Sequence, residues 1–438
     1  MSAPQRLSVT DSIQLSCIQT ERFKTGVLTL TLCLPLTKEN TMLGMLLPRV
    51  LRRGTEHFPD MASIHRRLDE LYASCVEIRS TRIGRNLAIV VTAEFLDEAY
   101  ATDHTQILDG VLEVISDMLL RPKMVREAFD PAIVKQEIGF AKDSIRSEIN
   151  NTRAYSLIRC MELMHRNDRT YPTLKEMETE IDGIDAEQLA RFYRNTLRSA
   201  SIQAFFVGSL APSYVSNCLR THLGEWHSEI LYPILPPYAA PSCGVIEQTL
   251  PMPVSQGKLA MGFRTGVCAD GADDDVYTAM VFNELFGESP ASKLFMNVRE
   301  KMSLCYSCSS FFNRYTGILL VSAGIESKNR QTAEQAILDQ LQSIRHGEIS
   351  DAEMHAAKLS LANSYRQIND NPFELQSFYS NRAIFGLDGD VEDCRARLDA
   401  VTVEQVVALA KKIECDTVFF IEGTREDADE NEEDCDDE

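Results

Sequence analysis

Between residues 27 and 36 the chain reads VLTLTLCLPL, with Leu28, Leu30, Leu32 and Leu34 at every second position. A period of two places these leucines on one face of a β-strand. The period then changes. In LGMLLPRVLRRGT (43–55), Leu43, Leu46, Leu47, Val50 and Leu51 recur at helical spacing, which predicts a short buried helix stopping at Gly54. Pro48 stands inside that helix, where a proline costs roughly 3 kcal/mol, and Arg49 follows it. The same reading predicts a helix over 64–74, a strand over 86–95 and long helices over 96–119 and 126–149.

A second series of the same kind follows. It predicts a strand at 258–266, helices at 279–287 and 291–303, a strand at 316–325, and helices at 329–346 and 350–385. Residues 184–209 (IDAEQLARFYRNTLRSASIQAFFVGS) and 401–424 (VTVEQVVALAKKIECDTVFFIEGT) share a Glu-Gln pair, an amphipathic helix and a strand ending in glycine. Glu187 matches Glu404 and Gln188 matches Gln405, an offset of 217, close to half the chain of 438 residues. An internal duplication is therefore expected. Six of the sixteen prolines fall between Pro233 and Pro253, a run that suits a linker rather than a helix or a central strand. The expected division is a first domain over 1–228, a Pro-rich linker over 229–254, a second domain over 255–425 and a disordered acidic tail over 426–438. The fold class is α+β, each half a mainly antiparallel sheet covered by helices.

Charge narrows the function. The formal charge is −21, and the tail EDADENEEDCDDE contributes ten acidic residues and no basic one. So acidic a chain makes a poor nucleic-acid binder. No stretch is long and apolar enough to span a membrane, and MSAPQRLSVTDSIQLSC has no signal-peptide core. Twelve scattered cysteines then read as reduced thiols of a cytoplasmic protein. One C-x-x-C, Cys305 to Cys308, lacks the second pair a zinc site would need.

SPASKLFMNVREKMSLCYSCSS (289–310) resembles the second-domain signature of pitrilysin/insulinase-type metallopeptidases, the inverzincins: a Ser-rich turn, an apolar helix, Arg-Glu-Lys, then Leu-x-Tyr-Ser. The 184–209 segment and HGEISDAEMHAAKLSLANSY (346–365) resemble that family too. The resemblance covers nearly the whole chain except the tail and implies a pitrilysin/LuxS-like metallohydrolase fold. Active members carry H-x-x-E-H shortly before Gly-Thr; two histidines hold zinc and the glutamate takes a proton from the zinc-bound water. Aligned on Gly54-Thr55, those positions are Met45, Pro48 and Arg49. A thioether is a poor ligand for catalytic zinc, proline has no base, and a guanidinium repels a metal ion. Glu137, in VKQEIGFAK, matches a further metal ligand by context but is left without partners.

The eight histidines do not rebuild a site; the nearest arrangement, His222 and His227 flanking Glu225, reads as an exposed helix end. By the resemblance, Arg299 and Tyr306 match residues that reach substrate or the tetrahedral intermediate from the second domain. A guanidinium fork suits carbonyl oxygens, and a phenol suits a developing oxyanion. Some bacterial members divide this labour between two chains. The expected function is thus a non-catalytic, substrate-binding subunit that supplies Arg299 and Tyr306 to the zinc site of an H-x-x-E-H-bearing partner. It would hold no metal itself, act on a peptide or small protein, and not be a peptidase alone. The alternative is an inert scaffold or assembly protein of the same fold.

Overall fold

A computed structural model describes residues 3–229, 231–269 and 274–425; the acidic tail lies outside the described residues. In chain order the first half contains β1 (Gln5–Ser8), β2 (Ile13–Gln19), β3 (Thr25–Pro35), α1 (Lys38–Leu51), α2 (Met61–Glu70), β4 (Cys75–Ile83), β5 (Asn86–Leu96), α3 (Ile107–Leu120), α4 (Pro131–Ser147), α5 (Thr152–Met164), α6 (Leu174–Glu180), α7 (Ala186–Ser199), β6 (Ser201–Gly208) and α8 (Pro212–Leu223). The second contains β7 (Ile246–Met252), β8 (Gly257–Arg264), α9 (Asp275–Asn283), two π-helical turns (Glu284–Glu288 and Leu294–Lys301), β9 (Cys305–Asn313), β10 (Ile318–Ile325), α10 (Arg330–Arg345), α11 (Asp351–Ile368), α12 (Pro372–Phe385), α13 (Val391–Ala400), α14 (Val403–Ala410) and β11 (Glu414–Gly423).

The duplication is visible in the sheets. The first runs β1-β2-β6-β3-β5-β4 and the second β7-β11-β8-β10-β9. Without β1 the two orders correspond strand for strand. In each, one pair is parallel, β2 with β6 and β7 with β11, and the other neighbours are antiparallel. The two copies of the Glu-Gln phrase lead into β6 and β11, which hold matching places inside their sheets. Each helix is capped by a side chain just before it: Asp185 accepts from the Gln188 amide, and Thr402 from the Gln405 amide.

Three expectations need correction. Residues 246–252 of the expected linker form β7, so the second sheet begins inside it. Pro251 is tolerated there because β7 is an edge strand with a free side. The expected helix over 350–385 is two, broken at Asn371-Pro372, where proline opens the first turn of α12 and Asn371 caps it. The helix expected over 96–119 starts only at Ile107, after a 3₁₀ turn at 98–100.

The leucine face of β3 packs into the first half's core, on α1, α3 and α7. The opposite faces of the two sheets are covered by helices exchanged between halves. α5 lies on β8 and β11, while α12 lies on β6 and β3. Cys160 and Met164 of α5 share a buried cluster with Ala260, Ile318, Phe419 and Ile421 of the second sheet. Reciprocally, Phe205 of β6 stacks on Tyr379 of α12, ring centroids 6.2 Å apart. Gly262 permits the close approach of α5, since a Cβ there would lie 2.3 Å from the Met164 sulfur.

A buried carboxylate fastens the exchange. Asp416 in β11 pairs with Arg166, just past α5, at 3.2 Å and with Arg264 of β8 at 3.5 Å. It also accepts from Thr417 Oγ1 at 2.8 Å. Removing one member of a buried ionic cluster leaves uncompensated charge. Asp416→Ala is therefore expected to lower stability by about 3–5 kcal/mol, read as the shift in a urea unfolding curve. Because the halves share helices, unfolding of the variant should remain one transition; two separated transitions would contradict the interlock.

Candidate functional site

α1 is capped by Thr37, which accepts from the Asn40 amide, and continues through Pro48 to Leu51. Proline has no N–H to give the Gly44 carbonyl, so one rung of the helix is missing where Pro48 sits buried. The helix survives because its apolar face is in the core. Gly44 itself is pressed against β5, and a Cβ there would come within 2.9 Å of Leu87.

α1 packs on α4, and that contact decides the chemistry. Glu137 is buried in α4, and the Arg53 guanidinium pairs with it. Arg53 also lies over the Phe140 ring, 5.7 Å from its centroid. One turn back, Arg49 donates to Ser144 Oγ at 3.3 Å. Met45 does not face Glu137's partner; it lines a cavity of about 320 Å³ with Leu36, Thr81, Ile158, Tyr171 and Met177. The structure brings Glu137 against α1, but a fixed positive charge sits on its carboxylate. These residues do not fit a zinc ion: one carboxylate is neutralised, and the other three positions offer a thioether, a ring without donor and a cation. Among the described residues no group of three or more His, Cys, Asp or Glu could hold a metal.

Arg53 was not singled out from sequence. It stands in the turn just past the end of α1, and helical spacing along the sequence gives no signal for it. The turn after α1 is built on another carboxylate. Gly54 adopts φ +149°, and a Cβ would lie 2.6 Å from the Pro59 carbonyl. Thr55 Oγ1 donates to Asp117 at 2.6 Å, and His57 Nδ1 lies 2.8 Å from the same carboxylate. Burial pushes the Asp117 carboxyl up, but the Thr55 and His57 hydrogen bonds outweigh it and hold it below its ordinary value.

Arg299 and Tyr306 fall at the far edge of the second sheet, the turn Leu294–Lys301 preceding edge strand β9. The Arg299 guanidinium covers the Phe295 ring at 4.5 Å and stands 3.6 Å from Glu300. Tyr306 is 65 % exposed. The register explains why. Ser307 pairs with Gly324 and Cys305 with Ile325, so Tyr306 is an extra residue in a β-bulge that turns its side chain outward. Met296, Met302 and Phe311 are exposed on the same edge. No hydrogen bond, ion pair or ring contact joins Arg299 or Tyr306 to Met45, Arg49 or Glu137 among the described residues.

Two further histidines are accounted for. His222 does not approach a metal site with His227; its Nε2 lies 2.8 Å from Asp109. His165 stacks on Tyr171 at 4.2 Å, beside a cavity of about 780 Å³, and its Nδ1 meets the Met161 carbonyl at 2.8 Å. Burial drives its imidazole down to about 4.

Residues 183–361 match the family described as Peptidase M16 inactive domain. The chain is 32 % identical to "Probable inactive metalloprotease YmfF" of Bacillus subtilis, covering 93 % of this chain and 95 % of that one. It is 20 % identical to "Uncharacterized zinc protease YmxG" of the same organism, covering 73 % of this chain and 77 % of that one. Among solved structures it is similar to a conserved protein from Enterococcus faecalis (TM-score 0.86, 24 % identity, 98 % of this chain and 100 % of that one). It is also similar to a peptidase M16 inactive domain from Pseudomonas fluorescens (TM-score 0.79, 16 % identity, 97 % and 99 %).

If Arg53 serves to close Glu137, Arg53→Leu should cost about 2–3 kcal/mol by stranding a buried carboxylate, and Arg53→Leu/Glu137→Leu should recover most of it. A double-mutant cycle of urea midpoints measures this; additive losses would contradict it. His165 gives a pH dependence. Its folded value lies below the ordinary 6.5, so the unfolded chain takes up the proton first as pH falls. Stability is full above 6.5 and declines toward 4. His165→Gln should flatten that decline in denaturation midpoints taken across the window.

Proposed function

The chain belongs to the M16, pitrilysin/insulinase-type, peptidase family among members that lack the zinc motif, and from that premise we propose that it is the non-catalytic, substrate-binding subunit of a two-chain zinc peptidase. The observation that carries this reading is Tyr306: an exposed phenol, held outward by a bulge, beside Arg299, on an edge strand with a free side. A phenol kept only as a relic would be expected to sink into the core; this one stands where a second chain or a peptide could meet it, while Arg299 rests on Phe295 and beside Glu300. The water-activating half of the chemistry belongs to a partner bearing H-x-x-E-H, because Arg53 occupies Glu137 and no general base stands at Pro48.

That both kinds of chain coexist in one organism is supported by the two Bacillus subtilis relatives, one named inactive and one named a zinc protease. Arg299 would hold carbonyl oxygens of the bound peptide, and Tyr306 would donate to the oxygen that gains charge as the partner's zinc-bound water attacks. The protein is read as cytoplasmic; no helix among the described residues is long and apolar enough to cross a membrane.

The test is reconstitution with an H-x-x-E-H-bearing chain of the same family. This chain alone should neither retain stoichiometric zinc after dialysis nor cleave peptides, while the pair should do both. Tyr306→Phe in the pair should lower kcat about 10²-fold, the scale of one lost oxyanion donor. Arg299→Ala should raise KM more than it lowers kcat. Unchanged turnover in both variants would leave the scaffold role; cleavage by this chain alone would end the proposal.

A further inference from the structure

A cavity of about 270 Å³ opens in the second half, sharing no lining residue with α1 or with Arg299 and Tyr306. Its deep wall comes from Tyr277 of α9, Arg314 in the turn between β9 and β10, and Phe378 and Arg382 of α12. Glu374 and Asp388 stand exposed at its mouth.

The arginines are unusual in what they lack. Arg382 is only 9 % exposed. Its Nε donates to the Gly389 carbonyl at 3.1 Å, and its guanidinium lies 5.3 Å from the Phe378 ring centroid. Arg314 Nη1 reaches the Tyr365 hydroxyl at 3.5 Å. Among the described residues neither guanidinium has a carboxylate oxygen within 4.0 Å. The comparison within the same half is Arg264, which is as deeply buried and is paired with Asp416. Burying a guanidinium without an anion is costly, and in a chain of charge −21 a carboxylate would be easy to supply. The buried Arg382 and the half-buried Arg314 converge on one cavity and leave a positive hollow with room for a small guest.

We propose that this cavity binds a small oxyanion, a phosphate or carboxylate group, between Arg314 and Arg382. The guanidinium forks supply planar, paired donors of the geometry such oxygens accept. Tyr277, Tyr315 and Phe378 wall the space and limit the guest to a small head group. The exposed acids at the mouth oppose entry, so they set the affinity without making contact. The site stands apart from the peptidase reading and would hold if that reading failed.

Isothermal titration of the full chain at low ionic strength, with inorganic phosphate and separately with succinate, tests this. At least one anion should bind at a single saturable site. Arg314→Gln should weaken it about tenfold or more, with an unchanged thermal midpoint. Glu374→Gln/Asp388→Asn, both at exposed positions, should tighten it about three- to tenfold, and added salt should shrink that difference. Preference for phosphate or for succinate assigns the head group. No saturable binding of either anion up to about 10 mM, or affinities that neither variant changes, would overturn the proposal.

Discussion

The exchange of α5 and α12 between the two sheets is the constraint on which the molecule rests. A sheet with one apolar face needs one helical layer; here both faces of each sheet are covered, the second by a helix from the other half. Neither half could keep its inner face dry alone. The contact is fixed sterically at Gly262, where only a missing side chain lets Met164 approach, and electrostatically at Asp416, where one carboxylate holds arginines from both sides of the duplication. Two copies of one pattern are thereby packed into each other through the helices they exchange.

Within that frame α1 is a capped helix packed on α4, and its polar end is set by charge. Arg53 satisfies the buried Glu137 internally, which removes any need for a cation. Pro48 can sit in the helix because the segment is held by its apolar face and not by the missing rung. The second half, by contrast, keeps Tyr306 outside on a bulge.

The electrostatic picture is also divided. The chain is strongly acidic overall, yet arginines reach its cavities: Arg82 and Arg159, paired there with Asp168 and Glu162, and Arg314 and Arg382 in the second half. Net charge therefore describes the surface and says nothing of the interior.

Much of this was legible along the chain. Alternating leucines named β3, and helical spacing named α1. The paired Glu-Gln phrases exposed the duplication, and Met45, Pro48 and Arg49 showed that α1 carries no H-x-x-E-H. Such features are local: period, capping and residue type act within a few positions of each other. What needed the tertiary structure was everything that depends on distance in space. β7 was hidden because prolines forbid a central strand but not an edge one. The Arg53–Glu137 pair, the crossing of α5 and α12 and the unpaired Arg382 join residues from 84 to more than 100 positions apart or, for Arg382, turn on which carboxylates fail to arrive. Periodicity shows which face of an element is apolar; only packing decides which partner covers it.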